Sequence, residues 1–495
     1  MSKKFLVDAT SGRLVYLKVP FGAENGILPA AAVMKRKSMN RFNRFRTFWL
    51  YVAVSVILGS AAYSQSTPPL LQDIKVQPEN DPSALVKKTS STSPTGAARA
   101  NSSIPVLADV DIPGYTGILV QKMDGTNVVE IGSNLTFNPA SNVKIATAFA
   151  VLKTFGPEYR FPTNVWTDGK LDQSTGTLTG NIYVSGRDPI FGYEHAISIA
   201  NELNHLGIRS VTGDLIVTGD FAMNYSSAAS RTSQALFTSL DSSKRPAAAT
   251  RAWLNFLNNS GRANKGYSIP GVTFTGAAYV QPLPSNLKLL FTHESAPMRE
   301  IIKATLCYSN NFLAERLGDM LGGPYAVAQI VRQNVGLQPS EFSIQTSNGL
   351  GINRVSPAAM MKLLRTFNDD LARYQMTYAD IMPVAGIDKG TLEERFDTDF
   401  SRGSVVGKTG TLGQTDGGVS ALAGEMNTRS GKLLFVIFNQ HGSVARFRAF
   451  QNNYVSLIQG AFGGAAALDY TPIDLDTRLS RSRIEYPALQ ASVDR

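Results

Sequence analysis

The pattern of apolar and polar positions divides the chain into three regions. Residues 48–62 form a largely apolar run, and residues 65–104 are rich in Ser, Thr, Pro and Ala without any periodicity. The apolar run is shorter than the roughly 20 residues that a bilayer-spanning helix needs, and the polar stretch predicts a linker. Periodic structure begins near residue 105, where we expect the folded part to start.

The folded part begins and ends with a mixture of helices and strands. Residues 141–155 predict a helix that is apolar almost all round, which indicates burial in the middle of a domain. Residues 298–321 predict a helix that breaks near Ser309. The other predicted elements are strands over 117–122, 127–131, 404–408, 418–426 and 433–439, and helices over 357–367 and 444–462.

The middle of the chain has a different character. Strand-like runs alternate there with turns that contain glycine, and one predicted helix at 194–206 interrupts them. The runs are 161–166, 181–184 and 214–217. We predict a mostly-β inserted domain here, and the sequence shows no evident internal repeat.

These patterns predict an α/β (α+β) fold in which one domain is split by another. Both outer parts contain helices and strands, and the insertion is expected to be richer in strands. The predicted segments are a leading segment (1–64), a linker (65–104), the first part of the main domain (105–158), the insertion (159–293), the second part of the main domain (294–470) and a loose polar tail (471–495).

The net charge of +10 is unevenly distributed. Residues 1–49 contain ten Lys or Arg and two acidic residues, so the rest of the chain is close to neutral. The folded part lacks the basic stripe that neutralises phosphates, and we predict no nucleic-acid partner.

The basic residues precede the apolar run, which is the order found in a secretory signal peptide. Residues 35–46 form the basic flank, and Ala62-Tyr63-Ser64 has the small-x-small pattern of a cleavage site. We predict an exported protein, periplasmic or otherwise extracytoplasmic. The alternative is that the segment stays uncleaved as an anchor, and this is the single predicted contact with a membrane.

The chain offers few ligands for a metal. Cys307 is the single cysteine, so no internal disulfide can form, and the four histidines have no paired spacing. Neither a metal site nor a cofactor is predicted. Cys307 is interpreted as a small buried residue.

Three short motifs occur in order along the chain. They are Ser141-Asn142-Val143-Lys144, Ser309-Asn310-Asn311 and Lys408-Thr409-Gly410-Thr411. Each is weak alone, since Ser-x-x-Lys also occurs at 285–288 and Ser-x-Asn at 38–40. Context separates them, because Ser141 opens a buried helix, whereas Ser285 leads into a β-type run and Ser38 lies in the basic flank.

The first motif has the spacing of a nucleophile and its base. Ser141 and Lys144 lie one helical turn apart and share a face. A serine hydroxyl is a poor nucleophile unless a base removes its proton. A lysine can act as that base if burial and a neighbouring cation such as Lys408 lower its pKa. A capping serine beside a solvated lysine is the alternative, and the apolar helix around Lys144 counts against it.

The other two motifs have features of a substrate cleft. Ser309 and Asn311 stand at a helix break, where a second hydroxyl can relay a proton to a leaving group. The motif 408–411 ends a β-type run, and Gly410 there lets a substrate approach the backbone. The lysine and first threonine of this motif can bind a terminal carboxylate, and the N–H of Thr411 can donate to an oxyanion. An ordinary helix cap and a strand-to-turn exit are the alternatives.

The ordered trio resembles that of penicillin-binding proteins and serine β-lactamases. The flanking sequence is closer to one branch, the low-molecular-mass class C penicillin-binding proteins, which are D-alanyl-D-alanine carboxypeptidases and endopeptidases. The resemblance extends over about residues 105–462. The stretches that carry it are 138–144, 180–184, 186–189, 211–215, 309–315, 383–386, 390–392 and 407–411.

The resemblance implies a penicillin-recognising, serine transpeptidase-like domain whose antiparallel sheet is flanked by helices and whose sequence is split by an insertion. It implies that Ser141 is the acylated nucleophile and Lys144 its base, and that Ser309 and Asn311 face the cleft. The implied partners are peptidoglycan peptides and β-lactam antibiotics, with no cofactor.

The resemblance also implies how substrate is held. Lys408 and Thr409 bind the substrate carboxylate, next to Gly410, and the backbone of Ser141 and Thr411 forms the oxyanion hole. The chain departs from the family pattern around 348–351, where the usual Asp-Gly-Ser-Gly run is altered. Its insertion is short and lacks the Trp- and Asp-containing stretch that reads the diaminoacid side chain in some members, so side-chain specificity stays open.

Three functions remain open from the sequence. The first is hydrolysis of D-Ala-D-Ala or D-Ala-diaminoacid bonds, and carboxypeptidase is not distinguished from endopeptidase. The second is a serine β-lactamase or esterase, which requires rapid deacylation, and no dedicated deacylating glutamate is identified. The third is a catalytically silent wall-binding protein, against which the intact trio counts.

Overall fold

The computed structural model describes residues 104–262 and 269–487, together with the backbone of three short strands nearer the N-terminus. The chain divides into two units, residues 1–66 and 67–495. In the first unit, two of the short strands form an antiparallel hairpin. The predicted basic flank and apolar run lie outside the described residues, as does nearly all of the predicted linker.

Strands and α-helices are interspersed along the chain, with the longest strands in its C-terminal third. The strands are β1 (Phe5–Val7), β2 (Leu14–Tyr16), β3 (Asn101–Ser102), β4 (Tyr115–Lys122), β5 (Asn127–Ile131), β6 (Pro162–Thr167), β7 (Lys170–Asp172), β8 (Thr177–Thr179), β9 (Ile182–Gly186), β10 (Ser210–Val211), β11 (Leu215–Val217), β12 (Thr273–Phe274), β13 (Ala278–Val280), β14 (Lys288–Glu294), β15 (Phe342–Ser343), β16 (Arg354–Val355), β17 (Val405–Leu412), β18 (Val419–Thr428), β19 (Gly431–Gln440) and β20 (Arg483–Glu485). The α-helices are α1 (Val143–Phe155), α2 (Tyr193–His205), α3 (Ala229–Leu240), α4 (Ala247–Asn259), α5 (Met298–Cys307), α6 (Asn311–Asp319), α7 (Pro324–Val335), α8 (Pro357–Arg373), α9 (Val444–Ala461) and α10 (Leu475–Leu479).

The parts of the chain before and after the insertion share a six-stranded antiparallel sheet with the order β17-β18-β19-β4-β5-β3. Side chains along a strand alternate between the two faces of a sheet, and β19 shows the result. Leu434, Val436 and Phe438 pack in a core with α1, α5 and α8, whereas Phe435 and Ile437 pack in a second core with α9. The antiparallel sheet flanked by helices confirms the predicted fold class.

Helix α1 lies within the larger core, as its all-round apolar pattern predicted. Every residue from Val143 to Leu152 is buried. Lys144 is the single charged residue in that stretch, so the fold takes its amine out of water.

The insertion carries three helices, where the sequence predicted one helix within a mostly-β domain. Helix α2 confirms the predicted helix, whereas α3 and α4 were not predicted. In α3, the small polar residues Thr232 and Ser233 occupy part of the buried face, so the apolar periodicity is weak. The inserted segment, residues 159–293, therefore contains helices as well as strands and is not mostly β.

Three segments of the insertion repeat a short sequence and stack in register, although the sequence alone showed no evident repeat. In one sheet Leu178, Val211 and Phe274 lie side by side on parallel strands, and the strands that follow them are parallel neighbours in a second sheet. The segments are 177–186 (TLTGNIYVSG), 210–219 (SVTGDLIVTG) and 273–282 (TFTGAAYVQP).

A ladder of side chains joins the Thr-Gly turns of this repeat. Asn181 Oδ1 accepts a hydrogen bond from the Asp214 N–H, and Asp214 Oδ1 accepts one from the Ala277 N–H, each over 2.8 Å. A side chain at Gly213 or Gly276 would collide with the preceding turn of the ladder. Equivalent residues lie 33 and 63 positions apart, and this irregular spacing hides the repeat in the sequence.

Residues 471–487 are ordered, whereas the sequence predicted a loose polar tail. Helix α10 packs its Leu475 against the end of α5, and β20 adds an antiparallel strand to β14. Arg478 and Arg481 donate to the two carboxylate oxygens of Glu300 over 2.8 and 2.7 Å. Because ion pairs satisfy these polar side chains, hydropathy does not reveal that the tail is packed.

We expect Glu300→Gln to destabilise the protein by about 3–5 kcal/mol, because Arg478 would stay buried without a carboxylate partner. Glu300 is 1% exposed and Arg478 is 6% exposed. Urea unfolding measures the loss. Glu341→Gln is the matched control, since Glu341 pairs with Lys362 at 3.4 Å on the surface and its loss should cost at most about 1 kcal/mol. Equal effects of the two changes would contradict the expectation.

Candidate active site

Ser141 lies in a short 3-10 turn, Ala140–Asn142, directly before α1. Ala140 has a φ of +47°, a conformation that costs a non-glycine residue about 1–3 kcal/mol. Asn138 holds the turn in this shape, because its Oδ1 accepts from the Ala140 N–H and its Nδ2 donates to Asp416 Oδ2. Ser141 thus stands at the head of a helix, where the positive end of the dipole favours negative charge.

Lys144 lies one helical turn after Ser141, with its amine directed at the serine. The Nζ atom is 3.0 Å from Ser141 Oγ, 2.8 Å from Asn311 Oδ1 and 2.6 Å from the carbonyl oxygen of Asn348. Burial lowers the pKa of Lys144 to about 7, and the carboxylate of Glu315 partly opposes this shift. A large share of the amine is therefore unprotonated at neutral pH and can accept the Ser141 proton.

Lys408 on β17 forms a second buried pair with Ser309. Its Nζ donates to Ser309 Oγ over 2.8 Å and to the carbonyl oxygen of Thr409 over 2.6 Å. Burial, and then the charge of Lys144, hold the pKa of Lys408 well below its usual range. Ser309 has a φ of +53° between α5 and α6, so the structure confirms the predicted helix break.

The end of β17 runs against the turn that carries Ser141. A Cβ atom at Gly410 would lie 2.6 Å from the carbonyl oxygen of Pro139, so this close approach requires glycine. When the amide nitrogen of Asn142 faces β17, it donates hydrogen bonds to the main-chain carbonyl oxygens of Lys408 and Thr409. These bonds join the turn at Ser141 to the strand. Thr409 is nearly buried and Thr411 is exposed at the open end of the strand.

The structure brings the three predicted motifs to one place and separates them from the chance matches. Ser141, Lys144 and Asn311 are linked through one amine, and Ser309 and Lys408 through another. Ser285 and Lys288 are exposed at the start of β14 in the insertion. The match at 38–40 lies outside the described residues.

Two residues to which the sequence analysis gave no role complete the surroundings of Lys144. Glu315 Oε1 accepts a hydrogen bond from the Asn348 N–H over 2.9 Å, which fixes the carbonyl group that contacts the amine. Burial raises the pKa of Glu315. Asn348 acts through its main chain and leaves no side-chain signal. Glu315 lies within the matching stretch 309–315, which gave it no role.

The described side chains that could bind a metal ion do not cluster. Cys307 is buried, as predicted, and burial raises the pKa of its thiol to about 12. Across residues 104–262 and 269–487, no three His, Cys, Asp or Glu side chains are arranged to hold a metal ion. In the same described ranges, no helix has both the length and the apolar character that a membrane crossing requires.

The chain is similar in sequence to two curated carboxypeptidases over most of their lengths. Carboxypeptidase DacB of Mycolicibacterium smegmatis is 23% identical over 441 residues, which cover 80% of this chain and 92% of that protein. The D-alanyl-D-alanine carboxypeptidase DacB of Haemophilus influenzae is 24% identical over 444 residues, which cover 68% of this chain and 89% of that protein.

The fold is similar to that of Bd3459, a predatory peptidoglycan endopeptidase of Bdellovibrio bacteriovorus. The TM-score is 0.63 at 21% identity, over 76% of this chain and all of that one. A further structure shows Bd3459 acylated by penicillin G. The sequence profile of one family matches residues 105–233 and 262–458, which is more than half of the chain. The chain therefore belongs to the D-Ala-D-Ala carboxypeptidase 3 (S13) family.

Proposed function

We propose that the protein is a serine D-alanyl-D-alanine carboxypeptidase or endopeptidase that acts on peptidoglycan stem peptides through an acyl-enzyme at Ser141. One observation carries the proposal: Ser141 Oγ and Lys144 Nζ are 3.0 Å apart where burial lowers the pKa of the amine to about 7. An unprotonated amine at this distance is placed to act as the base for the hydroxyl.

In the acylation step, Ser141 Oγ attacks the carbonyl carbon of the penultimate D-Ala while its proton passes to Lys144 Nζ. The new C–O bond replaces the C–N bond to the terminal residue, which leaves as an amine after it gains a proton. Ser309 is hydrogen-bonded to Lys408 and is placed to deliver that proton. The N–H groups of Ser141 and Thr411 stabilise the oxyanion that forms in between.

In the second step, water attacks the ester and releases Ser141. Strand β17 positions the substrate in both steps, since Gly410 leaves room for an extended peptide beside the backbone. Lys408 and Thr409 bind the terminal carboxylate through hydrogen bonds. A β-lactam presents a similar amide and carboxylate and acylates the same serine.

The comparisons support the choice of substrate. Family membership and the names of both DacB relatives point to the D-Ala-D-Ala bond. The penicillin G adduct of Bd3459 supports acylation by β-lactams on this fold. The endopeptidase alternative in this proposal rests on the name of Bd3459, a peptidoglycan endopeptidase.

Peptidoglycan lies outside the cytoplasmic membrane, so the proposed substrate agrees with the predicted export signal. We propose that the mature enzyme is extracytoplasmic and begins near residue 65. N-terminal sequencing of the protein from a cell fractionation should show processing near Gln65. Recovery of the intact chain from the cytosol would contradict export.

We expect a labelled penicillin to modify Ser141 alone. Ser141→Ala should abolish labelling and the release of D-Ala or of cross-linked peptides from purified muropeptides, as read by mass spectrometry. The variant should keep the fold, because the turn before α1 has no side-chain cap to lose. Ser285→Ala is the control and should behave like the wild type. Labelling that persists in Ser141→Ala would overturn the assignment.

We expect the rate of acylation by a β-lactam to rise with pH and to level off above about pH 7. The base must be unprotonated, and the pKa of Lys144 is about 7, so the rate is lost as pH falls through that value. Lys144→Arg should lower the rate by about 10²–10⁴-fold, because a guanidinium stays protonated. Circular dichroism controls for folding. A rate independent of pH, or full activity of Lys144→Arg, would exclude Lys144 as the base.

A further inference from the structure

Helix α9 directs a guanidinium group at the open end of β17. Arg448 lies in the second turn of α9 and is half-buried, and its Nη2 donates to Thr411 Oγ1 over 3.0 Å. Thr411 is exposed at the end of the Lys-Thr-Gly-Thr motif, so the guanidinium stands beside the proposed substrate cleft.

Arg448 differs from nearby arginines in having no anionic partner. Arg446, two residues earlier, pairs with Asp111 at 2.7 Å, and Arg354 pairs with Asp416 at 2.8 Å. Among the residues that the structure describes, no carboxylate forms an ion pair with Arg448. A half-buried cation without a counter-ion beside a cleft is suited to an anionic ligand.

Lys408 alone is poorly placed to balance the charge of a substrate carboxylate. The Lys408 amine is fully buried and contacts the oxygens of Ser309 and Thr409. Burial, and then the charge of Lys144, lower the pKa of Lys408 well below its usual range, which weakens Lys408 as the counter-ion of a carboxylate. A guanidinium keeps its charge at every pH at which the protein is folded.

We propose that Arg448 is a substrate-binding residue that pairs with the carboxylate next to the scissile amide and so selects peptides with this free carboxylate. The inference deepens the proposed function and rests on it. Thr411 presents its hydroxyl to the same guanidinium and orients it toward the end of β17. Neutral esters and amides of the same peptides are then poorer substrates because they leave this charge unpaired.

The competing explanation is that Arg448 has a purely structural role, in which its hydrogen bond to Thr411 holds α9 against β17. Loss of a purely structural hydrogen bond would lower kcat/KM for all substrates equally, whereas loss of a carboxylate-binding residue would lower it for the acid but not for the amide. The test is a cycle of four kcat/KM values, for the wild type and Arg448→Gln with an acyl-peptide that ends in D-Ala-D-Ala and with its C-terminal amide.

We expect Arg448→Gln to lower kcat/KM for the free acid by about 10- to 100-fold, mainly through KM, and to leave the amide within about twofold. Arg448→Lys should restore part of the loss because it restores the charge. Arg446→Gln is the matched control on the same helix and should change neither value. Equal losses for acid and amide would overturn the proposal in favour of the purely structural role.

A second readout separates this inference from the proposed function. Acylation by a penicillin and by its methyl ester is compared in the same variants, because this step requires Ser141 but no peptide. Wild-type acylation without peptide hydrolysis would count against the peptidase function alone. A penicillin-to-ester ratio that Arg448→Gln leaves unchanged would overturn the role of Arg448.

Discussion

Two lysine amines, Lys144 and Lys408, are buried in one site where neither can carry a full charge without a large cost in free energy. Serine, amide and main-chain oxygens contact them, and no carboxylate does so directly. Lys303 shows the contrast. It is equally buried but pairs with Asp388 at 2.6 Å, and its pKa is raised although burial acts to lower it. The absence of such a partner at Lys144 suits it to the role of base that we propose, rather than that of a structural cation.

The fold excludes water from these two amines and fixes the position of the groups that contact them. Helix α1 is buried almost throughout, and the antiparallel sheet brings β17 against the turn that carries Ser141, although the two are far apart in sequence. Both serines of the site follow or occupy strained positions, with a positive φ at Ala140 and at Ser309. The turn that carries Ser141 is stabilised by the Oδ1 of Asn138, which accepts from the Ala140 N–H, and by Asn142 when its amide nitrogen faces β17. The geometry of the site is therefore determined by packing around it.

The sequence predicted those parts of the protein that have a strong local signal. The apolar run around Lys144, the break at Ser309 and the strand before Lys408 each identify an element and a motif. Other parts lack such a signal. Helix α3 buries Thr232 and Ser233 in place of apolar residues. The C-terminal tail is packed through the ion pair of Arg478 with Glu300, so its sequence looks polar. The Thr-Gly repeats are unevenly spaced. Asn348 contributes a carbonyl group, which no side-chain pattern records.

Strand β20 joins β14 late in the life of the nascent chain. Arg483 in β20 pairs with Glu294 in β14, 189 residues earlier, so the ribosome completes β14 long before its partner strand exists. Until then β14 presents an open edge, which is the kind of surface that aggregates or recruits chaperones. A chain cut short by a premature stop would keep this edge permanently unpaired.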